Sequence, residues 1–360
     1  MKKIHDKILL LHASRWCAYL GALMLGLTSC SGADEPEAVT DSETPVAFAV
    51  KTEDNWNASR AAFENDSQIG IFAYHVPSGE SETSTPNFMN NQMAEYNGTS
   101  WDYSPIKYWP NNQGDVINFY AYAPYGSYTI SADKKITYDA SSNTDLLWNA
   151  AETKNQNKES GTIAFHFKHA LAKIGFTVKK SGTGINNATI AVKKVMLSTS
   201  DCTGDENVAP NGPFYTTGIL NLAKQGTPVA DVVADWTAST TGRGFFLNHS
   251  NFNNATEEAG FTVTATADPA QKLNKEESDI LVIPQNTTFN LFVQYTVELS
   301  SGHSYTNNFN KTMSAINFQA GKVYTINLNL GVNNLTVGGI TITDFKDAIG
   351  GYDNELEGEL

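Results

Sequence analysis

The sequence predicts an all-β fold, built as two tandem antiparallel β-sandwich domains, on three observations. Apolar and polar residues alternate along many short segments, clusters of Gly, Asn, Asp and Ser separate those segments, and almost no stretch carries a helical period. Successive side chains of a strand leave on opposite faces, so a strand with one buried face repeats at two residues. Many such strands between polar turns point to packed antiparallel sheets rather than to strand–helix–strand units. A chain of 360 residues is long enough for two cores.

The first 29 residues stand apart from that pattern. Lys2, Lys3, Lys7 and Arg15 make a positive leader, and the run from Trp16 to Leu27 is apolar. That run is too short to cross a hydrocarbon core, which takes roughly 20 residues, and it has the form of a secretory signal. It ends in Leu27-Thr28-Ser29-Cys30, which resembles a lipobox. Small residues at 28 and 29 suit a signal peptidase, and the Cys30 thiol would take the lipid, a palmitate-type acyl group. Residues 1–29 are therefore read as a signal peptide and Cys30 as the anchor to an outer membrane. Asp34, Glu35 and Glu37 follow closely and resemble the acidic tethers that direct lipoproteins to the outer face.

Strand candidates follow at 46–51, 68–74, 116–123, 162–167, 171–179, 188–198 and 214–222. Phe261, Val263 and Ala265 then alternate with threonines, and 279–283 is a further candidate. The clearest alternation runs Phe289, Leu291, Val293, Tyr295, Val297, Leu299, with Asn290, Gln294, Thr296 and Glu298 between. Phe292 interrupts its polar side and is expected to face a neighbouring element. Tyr324, Ile326, Leu328 and Leu330 repeat the pattern, and 338–345 closes it. One short helix is expected, with Asp268 as N-cap and Pro269 in its first turn, fading by Glu277. The glycine and serine cluster at Lys180–Gly184 separates the strand-rich halves, giving sandwiches over 61–183 and 184–345 and an acidic tail over 346–360.

Charge and cysteine content exclude whole classes of function. Removing residues 1–29 takes four basic residues and one acidic residue from totals of 24 and 38, leaving a formal charge of about −17. Affinity for a phosphate backbone comes from Lys and Arg releasing counterions, so nucleic acid is not a partner. Of the three cysteines, Cys17 leaves with the leader and Cys30 is acylated, so Cys202 alone cannot form an internal disulfide.

No residue pattern points to catalysis, and no cofactor or metal is expected. Gly-x-Ser-x-Gly, Walker and zinc-protease motifs are absent from the sequence. His166 and His169 are three apart on a strand, so their side chains leave on opposite faces and do not make a metal pair. Asp201, Asp205 and Glu206 lack the ligand order of an EF-hand and read as a solvated loop. Trp101, Tyr103, Tyr108, Trp109, Phe119, Tyr120, Tyr122 and Tyr125 could stack on sugars, but alternating strands more often bury such rings.

A set of ordered motifs resembles a known family. Ser59-Arg60-Ala61 precedes Gln68-Ile69-Gly70-Ile71-Phe72-Ala73-Tyr74, then Trp101-Asp102-Tyr103, Tyr108-Trp109-Pro110 and Val116-Ile117-Asn118-Phe119-Tyr120-Ala121-Tyr122-Ala123-Pro124. Asp145-Leu146-Leu147 leads to Phe165-His166-Phe167-Lys168-His169-Ala170-Leu171-Ala172-Lys173-Ile174, and Ile283-Pro284-Gln285 and Phe318-Gln319-Ala320-Gly321-Lys322-Val323-Tyr324 come late. In this order, behind a lipobox, they resemble the fimbrillin (Mfa-like) family of type V pilins. The family often closes in Asp-Trp, where this chain has Asp344-Phe345, which keeps an aromatic anchor.

The resemblance implies two transthyretin-like β-sandwiches and a subunit that travels as a lipoprotein. It further implies that an arginine-specific protease removes the first strand and a neighbouring subunit replaces it, which is donor-strand exchange. After Cys30 the chain has two arginines, Arg60 and Arg243. Arg60 lies between the first two strand candidates, so a cut between Arg60 and Ala61 would release residues 30–60. The C-terminal strand, with Ile340, Ile342 and Phe345, is the expected donor. Its partners would be other pilus subunits and a host or bacterial receptor. The alternative is a monomeric glycan-binding surface lipoprotein that stays tethered by Cys30. Cys30→Ala is expected to abolish incorporation of a clickable palmitate analogue; labelling that survives the substitution would place the anchor elsewhere.

Overall fold

The computed structural model describes residues 43–52, 63 and 65–345. Cys30, the acids at 34, 35 and 37, Arg60, Ala61 and the acidic tail lie outside the described residues. The first strands are β1 (Phe48–Thr52), β2 (Gln68–Val76), β3 (Met89–Tyr96), β4 (Trp101–Asp102) and β5 (Val116–Ala123). β6 (Lys135–Asp139), β7 (Leu147–Asn149), β8 (Ile163–His169), β9 (Ala172–Lys180) and β10 (Ala188–Ser198) follow. Next come β11 (Asn211–Asn221), β12 (Trp236–Arg243), β13 (Phe245–Leu247), β14 (Phe261–Val263) and β15 (Gln271–Lys272). The last are β16 (Ile280–Val282), β17 (Gln285–Leu299), β18 (Ser304–Phe318), β19 (Lys322–Leu330) and β20 (Leu335–Asp344). Helical structure among the described residues is confined to single 3-10 turns.

A seven-stranded sheet runs β1-β8-β7-β5-β2-β3-β4 and is antiparallel except at β1–β8. It is buried on both faces. Ile69, Ile71, Ala73, Ile117, Phe119 and Phe165 enter one core, while Phe72, Tyr74, Tyr120, Tyr122 and Trp148 enter another with Ile136, Tyr138 and Leu220. This explains why β2 and β5 read as nearly continuous apolar runs rather than as alternations.

The other large core is shared by two further sheets, β13-β10-β17-β18 and β15-β9-β19-β20. In β17 and β19 the inward set alternates: Phe289, Leu291, Val293, Tyr295 and Val297 point in, as do Tyr324, Ile326, Leu328 and Leu330, whereas β9 and β10 are buried along nearly their whole length. Phe292 faces the other way and meets Met196 and Cys202 in a small separate cluster, as its break in the pattern predicts.

A three-stranded sheet, β12-β11-β6, joins strands from the two halves of the chain. Sheet membership changes between β8 and β9, ahead of the Lys180–Gly184 turn, because β9 pairs with β19. The described residues fall within one compact unit that begins at Glu43.

The expected helix after Asp268 does not form. Gln271 and Lys272 pair with Val178 and Thr177 of β9, and the Asp268 carboxylate bonds Lys179 Nζ at 2.9 Å instead of capping a turn. A short helix needs an apolar face to pack, and here Leu273 is spent in the sheet core.

β19 lies between β9 and β20, with Ile326 fully buried. Asn327 on the opposite face accepts from Thr177 Oγ1 at 2.7 Å and donates to Thr341 Oγ1 at 3.1 Å. Ile326→Asp is expected to cost more than about 3 kcal/mol, from a lost apolar side chain and an unpaired buried carboxylate. Asn327→Asp is expected to cost under about 1 kcal/mol. Denaturant unfolding of both variants checks this, and equal losses would contradict the register.

Candidate functional site

The site is a pair of sheet margins, one near each end of the described chain. β1 forms where Val46-Ala47-Phe48-Ala49-Val50 alternates large and small residues. Val46 and Phe48 are buried and Val50 packs half-buried against the same core, while Ala47 is exposed. The Phe48 ring stacks on Phe165 at 5.4 Å and meets Phe119 at 5.8 Å and Tyr103 at 5.3 Å.

Among the described residues β1 is bound along one edge only, in parallel with β8, pairing Phe48 with Ile163, Ala49 with Ala164 and Val50 with Phe165. Its entry is fastened separately. Val46 N donates to Lys107 O at 2.9 Å, Trp109 N donates to Thr44 O at 2.9 Å, and Tyr103 Oη donates to Val46 O at 2.7 Å. Burying each aliphatic or aromatic side chain is worth roughly 1.5–3 kcal/mol, so β1 owes its place to a few side chains and one ladder. Withdrawing it would leave the outer backbone groups of β8 unpaired beside an aromatic-lined groove, a template for another strand.

At the other margin, β20 pairs, among the described residues, only with β19. Ile340 lies opposite Ile326 and Ile342 opposite Tyr324, so both point to the core side of the sheet. Ile340 is half-buried, and Ile342 is 58% exposed. Phe345 is buried in a different core, stacked on His169 at 3.6 Å between ring centres. The three residues singled out as donors thus do not share a face.

The two arginines differ. Arg243 is fixed within the body, with Nη1 donating to Leu281 O at 3.0 Å and Nη2 to Asn143 Oδ1 at 3.2 Å. Its guanidinium lies 4.4 Å from the Phe245 ring centre, and burial draws its pKa down.

The remaining clusters are occupied by structural contacts. His169 Nδ1 stands 2.8 Å from Asp145 Oδ2, and His166 leaves from the other face of β8. The Glu206 carboxylate accepts the N–H groups of Thr203 and Gly204, and these hold its pKa at about 2. Asp201 accepts from Asn290 Nδ2 at 2.8 Å. Cys202 is buried, which pushes its thiol pKa up. Of the eight rings proposed as a sugar platform, six are buried, and only Tyr108 and Tyr125 are exposed.

The fimbrillin-like family model matches residues 57–344. The fimbrium subunit Fim1C of Phocaeicola vulgatus is 27% identical over 180 residues, covering 42% of this chain and 47% of that protein. The chain therefore spans about half the length of this curated relative. A crystal structure of a fimbrial protein from Bacteroides vulgatus superposes with a TM-score of 0.62 at 20% identity, over 84% of this chain and 99% of that one, and so shares its fold.

Phe48→Ala is expected to lower stability by about 3 kcal/mol, and Ala47→Ser, at an exposed position, is expected to leave the unfolding midpoint unchanged. Equal midpoints for Phe48→Ala and wild type would show that β1 adds nothing to the folded subunit.

Proposed function

Because the chain belongs to the fimbrillin-like family, we propose that it is a structural subunit, or an accessory adhesin, of a cell-surface pilus. In this reading it reaches the outer membrane on the lipid at Cys30. A cut after Arg60 then removes residues 30–60, β1 among them, and a strand of another subunit takes its place. The observation that carries the reading is the seating of β1: an edge strand, one ladder wide, filling an aromatic groove shortly before Arg60 in the chain. The contacts of Arg243 within the body favour Arg60 as the residue that an arginine-specific protease would reach.

β20 is the donor in this proposal. It is joined to its own subunit by a single ladder, and its apolar side chains Val337, Ile340 and Ile342 are only partly covered or exposed. A replacement strand gains by pairing the vacated edge of β8 and by filling the pockets of Val46 and Phe48.

Size-exclusion chromatography after treatment with an arginine-specific protease tests both parts. Wild-type protein is expected to give a ladder of oligomers, and Arg60→Ala to remain monomeric. A chain truncated before Gly338 is expected to be cut yet remain monomeric. Ladders from Arg60→Ala would overturn the cleavage step, and ladders from the truncated chain would overturn the donor assignment.

A further inference from the structure

Beyond its ladder with β19 and the half-buried Val337 and Ile340, β20 is fastened to the body by buried side chains at its two ends. Leu335 is buried at its start and Phe345 just beyond its last residue, while no side chain from Thr336 to Asp344 is fully buried. Gly338 and Gly339 interrupt the ladder with a register shift, Gly339 standing at φ 118°, a value that favours glycine. Leu335 lies next to the turn from β19 and moves little if the strand swings away. At the far end the buried side chain is that of Phe345, next to a solvent-exposed Lys322–Asp344 ion pair, a kind of contact that adds little in water.

The seat of Phe345 is made of groups that have partners of their own. His169 lies parallel to the ring, 7° from coplanar, and is itself 2.8 Å from Asp145. Lys173 Nζ lies 4.8 Å from the ring centre and 2.9 Å from Asp279 Oδ2. Asp279 also accepts from Asn274, both residues being buried. An ammonium over an aromatic face is attracted by the ring quadrupole, the more so where water is excluded. Phe345 N donates to Gly321 O at 2.8 Å. A cleft of about 370 Å³, lined by Trp148, Lys168, Val233 and Lys322, opens beside the ring. The groups of the seat are thus each held by a contact that does not involve the ring.

We infer that Phe345 is a latch. Its withdrawal from the His169–Lys173 seat is the step that frees β20, so donor release is controlled at one ring, separately from the removal of β1. The purpose of the latch rests on the strand-exchange reading, but its existence does not.

Hydrogen exchange of the uncut chain reads the latch directly. In Phe345→Ala the amides of residues 336–344 are expected to exchange at least about tenfold faster than in wild type, with β19 and β9 unchanged. Phe345→Tyr, which keeps a ring, is expected to behave as wild type. Unchanged β20 exchange in Phe345→Ala would overturn the inference. So would equal acceleration of β19, which would make Phe345 an ordinary core residue, or equal acceleration in Phe345→Tyr. Faster β20 exchange with no oligomers from any cut protein would uphold the latch while removing the strand-exchange reading.

Discussion

A backbone edge has to be paired or hydrated, and an aromatic groove has to be filled; the β1–β8 ladder meets both demands at once. Among the described residues β8 is paired on its inner side by β7 and on its outer side only by β1. The side chains that β1 contributes are not surface decoration, because Phe48 lies against Phe119 and Phe165 in the middle of a core. Losing β1 exposes hydrogen-bonding groups and apolar surface together, and only another strand restores both. The functional account of this chain depends on that coupling.

The rest of the fold keeps the groove in shape. The seven-stranded sheet is packed on both faces, and the sheet β12-β11-β6 fastens its far face to the second half of the chain through Tyr138, Leu220 and Trp236. Phe345 enters that same core from the C-terminal side. The chain's two strand margins are thus connected through one packed layer while being held by different contacts: β1 by a ladder and an aromatic cluster, β20 by a ladder, by Leu335 at its start and by the seated ring of Phe345 at its far end.

What the sequence made legible follows from burial. β17 and β19 alternate because one face is dry and the other wet, and β5 and β10 lie at the same residues that their patterns predict. β18 was not legible, although it is 15 residues long. It is an edge strand with much of both faces exposed, and its asparagines are spent on loop contacts. Asn310 donates to Cys202 O at 2.8 Å, and Asn308 Nδ2 donates to Thr203 O. β3 and β12 are polar for the same reason of exposure. Asp268 followed by proline resembled a helix start, but a helix there had no apolar face to pack. At the candidate site, the inward set of β1 was readable from Val46, Phe48 and Val50. The split of Ile342 from Phe345 follows from their odd separation, three residues, which puts them on different faces. The seat made by His169 and Lys173 was hidden because it joins residues far apart in sequence.

The central claim is that β1 belongs to the subunit before assembly and is absent afterwards. Quantitative peptide mass spectrometry of monomer and of high-mass assemblies from the same cells measures this directly, by comparing peptides covering residues 43–52 with peptides from β17 and β19. The account predicts equal molar amounts in the monomer and loss of the 43–52 peptides from the assemblies. One copy of residues 43–52 per subunit in the assemblies would contradict it.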